Sequence, residues 1–368
     1  MIQLDGNHGE GGGALVRVAL ALSALTGQEF SVANIRAGRE QGGLKAQHLH
    51  AIKALQKICN AETNEIEIGS TELHFKPGKI KSGVYEIDIG TAGSITLLLQ
   101  ALLLPCLFAP RTITLKIKGG TCGKWQASVD YLQNILVPHL HRFVDKIEVK
   151  ILKRGYYPKG GGEVEVKIIP RFMLSHFNSF ELFWEDLQPK CAAIQLIEQG
   201  KVEQVKGVIN LSLELEEKNV AERIQKVAVD SLRSLSVPVN IRIESVQSLS
   251  TGGEIMLWAV CSQKGKVDYD NPVLLGGDAL IELGKRSEDI GKEAAQELLQ
   301  EIHSGAAADI HLADQLIMFM GLLPGSEILS SDVSKHALSN MYVVEKFLPV
   351  KFEVEGKKIK VEKISENL

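Results

Sequence analysis

The sequence predicts an α/β (α+β) protein in which three βαβαββ-type repeats form one large domain, with a small α/β domain inserted before the third repeat. Three observations predict this. Strand, small-residue turn and helix recur in a fixed order. Each run of that order ends in a pair of short strands. The first two copies also keep a common spacing: Ile35 and Ile117, which precede equivalent turns, stand 82 residues apart. That period is too long for a solenoid unit and suits duplicated subdomains.

The elements follow in order. In the first copy, residues 2–5 read as a strand, and a glycine run leads into a helix over 14–25. A strand over 30–35 follows, then the turn Arg36-Ala37-Gly38-Arg39 and a helix over 44–58. Short strands at 65–68 and 73–75 close the copy. The second copy has a strand over 85–89, the turn Gly90-Thr91-Ala92-Gly93-Ser94 and a helix over 95–107. It continues with a strand over 112–117, a helix over 126–140, and closing strands over 147–152 and 164–169. The third copy has helices over 311–322 and 335–347, a strand at 327–329, and closing strands at 350–354 and 359–361. Between the second and third copies lie strands near 207–213, 239–245 and 254–259 and a helix over 218–235. A helix over 285–302 then returns to the main body. The expected division is 1–175 plus 275–368 for the large domain and 176–274 for the insert.

Composition narrows the function. The 368 residues are 45% hydrophobic and 23% charged, an ordinary globular balance. No run of about 18 apolar residues is present, so no membrane span is expected. No leader pattern opens the chain. The five cysteines show neither paired nor CxxC spacing, which fits free thiols in a reducing cytoplasm. A net charge of −4 excludes a global nucleic-acid footprint. Any such contact is local, and the candidate clusters are Arg36, Arg39 and Lys45, and Lys153, Arg154 and Lys159.

Several residues point to phosphate chemistry. The run His8-Gly9-Glu10-Gly11-Gly12-Gly13 follows a strand and opens a helix, where free backbone N–H groups attract anions. It approaches G-x-G-x-x-G, with Ala14 in the third place. The acid a dinucleotide site wants about 20 residues on is absent; Arg36 and Arg39 stand there and would suit a 2′-phosphate, which keeps a reductase as one reading. Gly160-Gly161-Gly162 is followed by Glu163, so it is not a Walker A loop. Glu10 sits where a carboxylate makes sense as the holder of a divalent cation bound to phosphate, or as an acid serving the helix dipole. His48 suits a general base, a phosphate donor or a core histidine. Gln100 interrupts an apolar helix and needs partners, such as a purine edge or a backbone carbonyl. His311 and Asp314 share a helix face. His336 begins the last helix, where the dipole disfavours imidazolium and keeps a nucleophilic imidazole available.

In order, these segments resemble the RNA 3′-terminal phosphate cyclase family. The carrying motifs are Leu4-Asp5-Gly6 with the glycine run, Ile35 to Arg39, Gln47-His48, Ile89 to Ser94 with Gln100, and Gly155 to Pro158 with Gly160 to Gly162. Leu312 to Gln315, His336 and Val344 to Pro349 complete the set. The resemblance implies an ATP-dependent ligase in which His336 takes AMP from ATP and passes it to an RNA 3′-phosphate. The neighbouring 2′-hydroxyl then closes a 2′,3′-cyclic phosphate. It implies Glu10 as holder of the divalent metal (Mg or Mn), and Gln100, His311, Leu312, Ala313, Asp314 and Gln315 as the ATP site. Arg17, Arg36, Arg39, Gln47 and His48 would contact phosphates or the RNA end. Cys122 and Gln126-Ala127 depart from the family's Gly-Gly-Thr-Asp and Ala-Pro, and His311 stands where a tyrosine is frequent. Nucleotide preference is therefore the property these departures touch. A non-catalytic ribosome-assembly branch and an enolpyruvyl transferase share the architecture and remain the competing readings. His336, Glu10 and Asp314 argue against the first, and the second needs no covalent histidine.

Overall fold

The computed structural model describes residues 1–9, 11–90, 92–263 and 265–364. The first unit runs β1 (Ile2–Asp5), α1 (Ala14–Thr26), β2 (Phe30–Ala33), α2 (Ala46–Cys59), β3 (Glu62–Thr63) and β4 (Leu73–Lys76). Its sheet order is β1-β2-β4-β3. The first pair is parallel and the others are antiparallel, as a helical crossover followed by a hairpin requires. β2 stops before Ile35 because Asn34 and Arg36 turn with positive φ (54° and 56°). The strand expected at 65–68 forms instead at Glu62–Thr63; residues 65–67 are irregular and lead into a turn, and the neighbouring backbone of Gly69 and Ser70 pairs with Leu44.

The second unit repeats the plan. It contains β5 (Gly83–Asp88), α3 (Ile95–Leu107), β6 (Ile113–Gly119), α4 (Val129–Tyr131), α5 (Val137–Leu140), β7 (Val144–Lys153) and β8 (Gly162–Pro170). The order β5-β6-β8-β7 matches the first sheet position by position. Helices α4 and α5 are one helix interrupted by a π-helical stretch, Leu132–Leu136, just before Pro138. Proline has no N–H to give the ladder, and such bulges are one way a helix accommodates that. Ser128 caps this helix, accepting from Tyr131 N–H at 3.2 Å, so it starts later than its hydrophobic pattern suggests.

After α6 (Phe180–Leu187) comes β9 (Gln195–Leu196). A separate sheet follows, with β10 (Lys201–Ser212), α7 (Val220–Ser231), β11 (Val239–Val246), β12 (Gly253–Ser262), β13 (Leu274–Leu280) and α8 (Ser287–His303). Its order is β11-β10-β12-β13. The chain then completes the third unit with α9 (Ile310–Leu322), β14 (Glu327–Leu329), α10 (Lys335–Phe347), β15 (Val350–Glu355) and β16 (Lys358–Lys363). β9 pairs in parallel with β14, giving the order β9-β14-β16-β15 once more. The intervening sheet therefore enters after the third unit's first strand rather than before the unit. Helix α8 does not return to the main body as its position suggests; it packs on α7, β12 and β13. Its polar face stays wet, and its apolar residues Ile290, Ala294, Leu298 and Ile302 are buried.

The core is helical at its centre. α1, apolar but for Arg17, Ser23 and Thr26, buries all thirteen residues and packs against α3 and α10, as a helix with no polar face does. Gly27 ends it with φ 74°, a conformation glycine adopts without penalty. No helix among the described residues is long and apolar enough to cross a membrane.

Candidate functional site

A cleft of about 1280 Å³ opens between the first unit, the turns of the second, the ends of β12 and β13, and the start of α10. Its residues arrive from several elements, each for a local reason.

Arg17 rides on the buried helix α1 and is 7% exposed. Its Nε donates to Gln100 Oε1 on α3 at 2.8 Å, which answers the question of what a glutamine does inside an apolar helix. Burial, then the neighbouring Arg36, pull the Arg17 pKa down to about 10; it still holds its proton at neutral pH. Arg36 donates to the carbonyls of Gln41 (2.8 Å) and Gly43 (3.1 Å), which folds the 36–43 loop around its side chain. Arg39, Lys45 and Gln47 line the same cleft.

His48 is 1% exposed. Its Nδ1 accepts from Lys45 N–H at 3.0 Å, so the neutral ring carries its proton on Nε2. Burial first, then Arg17 and Arg36, press its pKa down to about 3. A ring so disposed is a hydrogen-bond donor toward an anion and a poor general base. A β-carbon at residue 13 would overlap His48 Nε2, so Gly13 is required for close approach rather than for a phosphate loop alone.

The same holds at Gly9. It stands at φ 64°, and a β-carbon there would overlap Ser339 Oγ of α10. Next to it the His8 ring stacks on Tyr342 at 3.8 Å. The first glycine loop is thus pressed onto the helix that carries His336. Glu10, the expected metal holder, lies outside the described residues. Among the described residues no group of three or more His, Cys, Asp or Glu is arranged to hold a metal ion.

His336 is the second residue of α10 and is half-buried. Ser334 caps this helix: its Oγ accepts from Ala337 N–H at 2.9 Å and donates to Asp314 Oδ1. Asn340 Nδ2 donates to the Asp314 carbonyl at 3.0 Å. Asp314 therefore fastens α9 to the first turn of α10 and sets where His336 stands. Burial, then the charges of Arg17, Arg39 and His311, lower the His336 pKa. The imidazole is neutral at neutral pH, with cations on hand for an anion approaching it.

The expected nucleotide residues are placed differently. Leu312 and Ala313 are packed in the core. Gln315 donates to the His311 carbonyl at 3.2 Å, and with Gln100 and Thr96 it lines a small interior cavity distinct from the main cleft. Asp314 is held by Ser334, and burial raises its pKa to about 6. His311 meets the Tyr131 ring edge-on. Desolvation opposes its charge, but Asp309, Glu297, Asp278 and Asp314 around it outweigh that and raise its pKa. The structure thus brings Arg17, Arg36, Arg39, Gln47, His48 and His336 into one cleft. Gln100 and the 311–315 segment stand outside it.

Two buried networks hold the β10–β13 sheet against the second unit and fix the cleft's far wall. Arg154, part of the second cationic cluster expected from the sequence, points inward. It binds Asp130 and reaches Glu244 Oε2 at 2.5 Å, so it is not a surface for nucleic acid. Tyr156 donates to Asn210 Oδ1 at 2.9 Å. Asp309 accepts from Tyr131 Oη (2.6 Å), Gly276 N–H (2.9 Å), His311 N–H (3.0 Å) and Leu312 N–H (2.8 Å). Ser334, Asn340 and Asp309 carry this geometry and are not among the residues the sequence singles out. Ser334 and Asp309 were discoverable, since each directly precedes a helix as a capping residue.

A cationic cleft with a neutral histidine at a helix start, in an α/β fold, is an arrangement suited to phosphate groups. Comparison with known proteins makes that specific. A family model described as RNA 3′-terminal phosphate cyclase matches residues 8–354, and the chain belongs to that family. It is 40% identical over 364 residues to the RNA 3′-terminal phosphate cyclase of Methanopyrus kandleri, covering 97% of this chain and 96% of that protein. It is 41% identical over 356 residues to the protein of the same name from Pyrococcus furiosus (97% and 96%). The like-named Archaeoglobus fulgidus protein is 41% identical over 363 residues (98% and 99%).

Proposed function

We propose that the protein converts an RNA 3′-terminal phosphate to a 2′,3′-cyclic phosphate at the expense of ATP, through a covalent histidine–AMP intermediate. The observation that carries this is the neutral, half-buried His336 at the start of α10, beside Arg17 and Arg39. The names of the relatives agree with it.

A phosphate monoester is a poor electrophile, because its charge repels nucleophiles and its oxygens leave badly. Adenylylation solves this in steps. His336 nitrogen attacks the α-phosphorus of ATP; an N–P bond forms, the bond to the β-phosphate oxygen breaks, and pyrophosphate departs. A terminal phosphate oxygen of the RNA then attacks the same phosphorus and releases the imidazole. The adjacent 2′-oxygen attacks the activated 3′-phosphorus, loses its proton, and expels AMP. Arg17, Arg36 and Arg39 balance the charge of the phosphates, and His48 donates from Nε2. The resemblance gives Gln100 and the His311–Gln315 segment to ATP, but they stand outside the cleft, so in this reading they position Arg17 and the start of α10; Glu10 is assigned to a divalent ion (Mg or Mn), and none of the steps above is routed through that ion.

The test is incubation with α-labelled ATP and a divalent metal. The expected result is acid-labile, alkali-stable label on the protein that is lost in His336→Ala. Absence of label, or label that survives His336→Ala, sinks the mechanism and leaves a binding protein of the same family.

A further inference from the structure

Trp125 is 96% exposed and stands in the left-handed region at φ 61°. Holding a non-glycine residue there costs on the order of 1–3 kcal/mol, and leaving an indole in water forgoes the burial an aromatic ring ordinarily gains. No ring contact to Trp125 occurs among the described residues, so the fold makes no visible use of it. Tyr157 is 80% exposed and Leu283 is fully exposed. All three line the mouth of the cleft that holds His336.

Their supports are fixed although their side chains are not covered. The Tyr157 loop is anchored on one side by Tyr156, which donates to Asn210 and accepts at its carbonyl from Gly160 N–H at 2.8 Å. On the other side, Lys159 N–H donates to Ser250 Oγ at 3.1 Å. Lys124 pairs with Glu282 at 2.8 Å, tying the turn that carries Trp125 to the segment that carries Leu283. The three apolar groups are thus presented by two different sheets at one rim. Below them lie Arg17, Arg36, Arg39 and Lys45.

Exposed rings above a cationic groove are the chemistry of single-stranded nucleic acid binding: bases stack on the rings while the groove tracks phosphate. At about 1280 Å³, the cleft exceeds the roughly 300–1,000 Å³ of single small-ligand sites. From this we infer that the rim is a stacking platform for the bases just upstream of the terminal phosphate of a single-stranded RNA, with one base on Trp125 and another on Tyr157. The direction of the strand, phosphate end inward, rests on the cyclase reading. Every base has a π-face, so the platform selects for length and single-strandedness and is indifferent to sequence.

Binding of 3′-phosphorylated oligoribonucleotides without ATP tests this, using an octamer followed by fluorescence anisotropy and a nucleoside 3′-monophosphate as competitor. The wild-type protein is expected to prefer the octamer. Trp125→Ala is expected to lower the octamer-to-mononucleotide affinity ratio about 5- to 150-fold, which corresponds to about 1–3 kcal/mol per stacked base. Tyr157→Ala lowers it less, and Trp125→Phe restores most of it, which separates stacking from misfolding. An unchanged ratio in Trp125→Ala, a wild type with no length preference, or a Trp125→Ala variant that loses ATP rather than the octamer would each overturn the platform. If the octamer binds with this dependence and no cyclic end forms, the platform stands and the cyclase reading falls. If cyclic ends form with no dependence on length, the cyclase reading stands and the platform falls.

Discussion

Two regions near His336 gather like charges, and they relieve the repulsion in opposite ways. On the first unit, Arg17 and Arg36 crowd together with His48. Burial draws Arg17 only down to about 10, far above neutrality, so the region stays cationic and His48 gives up its proton instead. Around His311, burial pushes Asp278 and Asp314 up to about 6 and Glu297 and Glu301 up to about 7. Those carboxyls take up protons more readily than a free carboxylic acid does, so their repulsion is relieved as pH falls toward 6–7. The difference follows from the starting points: a guanidinium sits so high that no ordinary environment neutralises it, whereas a carboxyl needs only modest burial. A buried arginine with others beside it is therefore a standing demand for an anion. A carboxylate cluster makes no equal demand for a cation.

The largest effect that bears on this contrast is structural. Asp309→Ala removes the acceptor of four buried donors, Tyr131 Oη and three backbone N–H groups. A loss of about 4 kcal/mol or more is expected, since each of the four orphaned donors costs about 1–3 kcal/mol, and urea unfolding will measure it. A loss below about 1 kcal/mol would mean that the carboxylate side is not scaffolding. Next comes Arg17→Met combined with Gln100→Leu, which leaves no glutamine oxygen unpaired. Affinity for a 3′-phosphorylated oligonucleotide should fall about 10- to 100-fold, the equivalent of about 1.5–3 kcal/mol for a charged hydrogen bond. Stability should hold or rise, because a buried charge is gone. Loss of both together would show the arginine to be structural and break the contrast.

A third test uses pH. In the proposed mechanism His336 attacks as neutral imidazole, and its pKa is lowered from 6.5 by burial and the nearby cations. The rate of labelling by ATP should be flat above pH 6.5 and decline as pH falls through a midpoint below it. A midpoint above 6.5 would mean that the carboxylates, not the arginines, govern the nucleophile. The smallest effect is Glu297→Gln. The folded pKa of Glu297 is raised from 4.5 to about 7, so its contribution is fully present below pH 4.5 and is lost as pH rises through 7. The variant should flatten that loss by an amount on the order of 1 kcal/mol, read from melting curves between pH 5 and pH 8.

Local signals carried much of the fold. The ranges of α3, β14 and α10 are those their periodicity and flanking turns predict, and Ser94 and Ser334 cap the two helices as their positions suggest. What escaped is what depends on distant partners. β9 has two residues and exists because β14 lies beside it. β13, which is not among the strands expected from the sequence, holds Gly276 and Gly277; in the fold, a side chain at 276 would strike Tyr131 and one at 277 would strike α8. In the site, Arg36, Arg39, Gln47 and His48 sit close enough in sequence to be read as one patch. The bond from Arg17 to Gln100 spans 83 residues and left no local trace. Trp125 gave none either, because an exposed ring and a buried one look alike in a sequence.

The two-residue strand β9 has a consequence for how the chain is made. Its partner β14 begins at Glu327, more than 130 residues downstream of Gln195, and the whole β10–β13 sheet lies between them. Closing so long a loop is slow and entropically costly until the intervening sheet has compacted and shortened it. On the ribosome the first two units can fold as they emerge, while the third waits for nearly the entire chain. His336 belongs to that last unit, so a truncated or stalled chain presents the arginine groove without the histidine to which the proposed mechanism gives the adenylyl transfer.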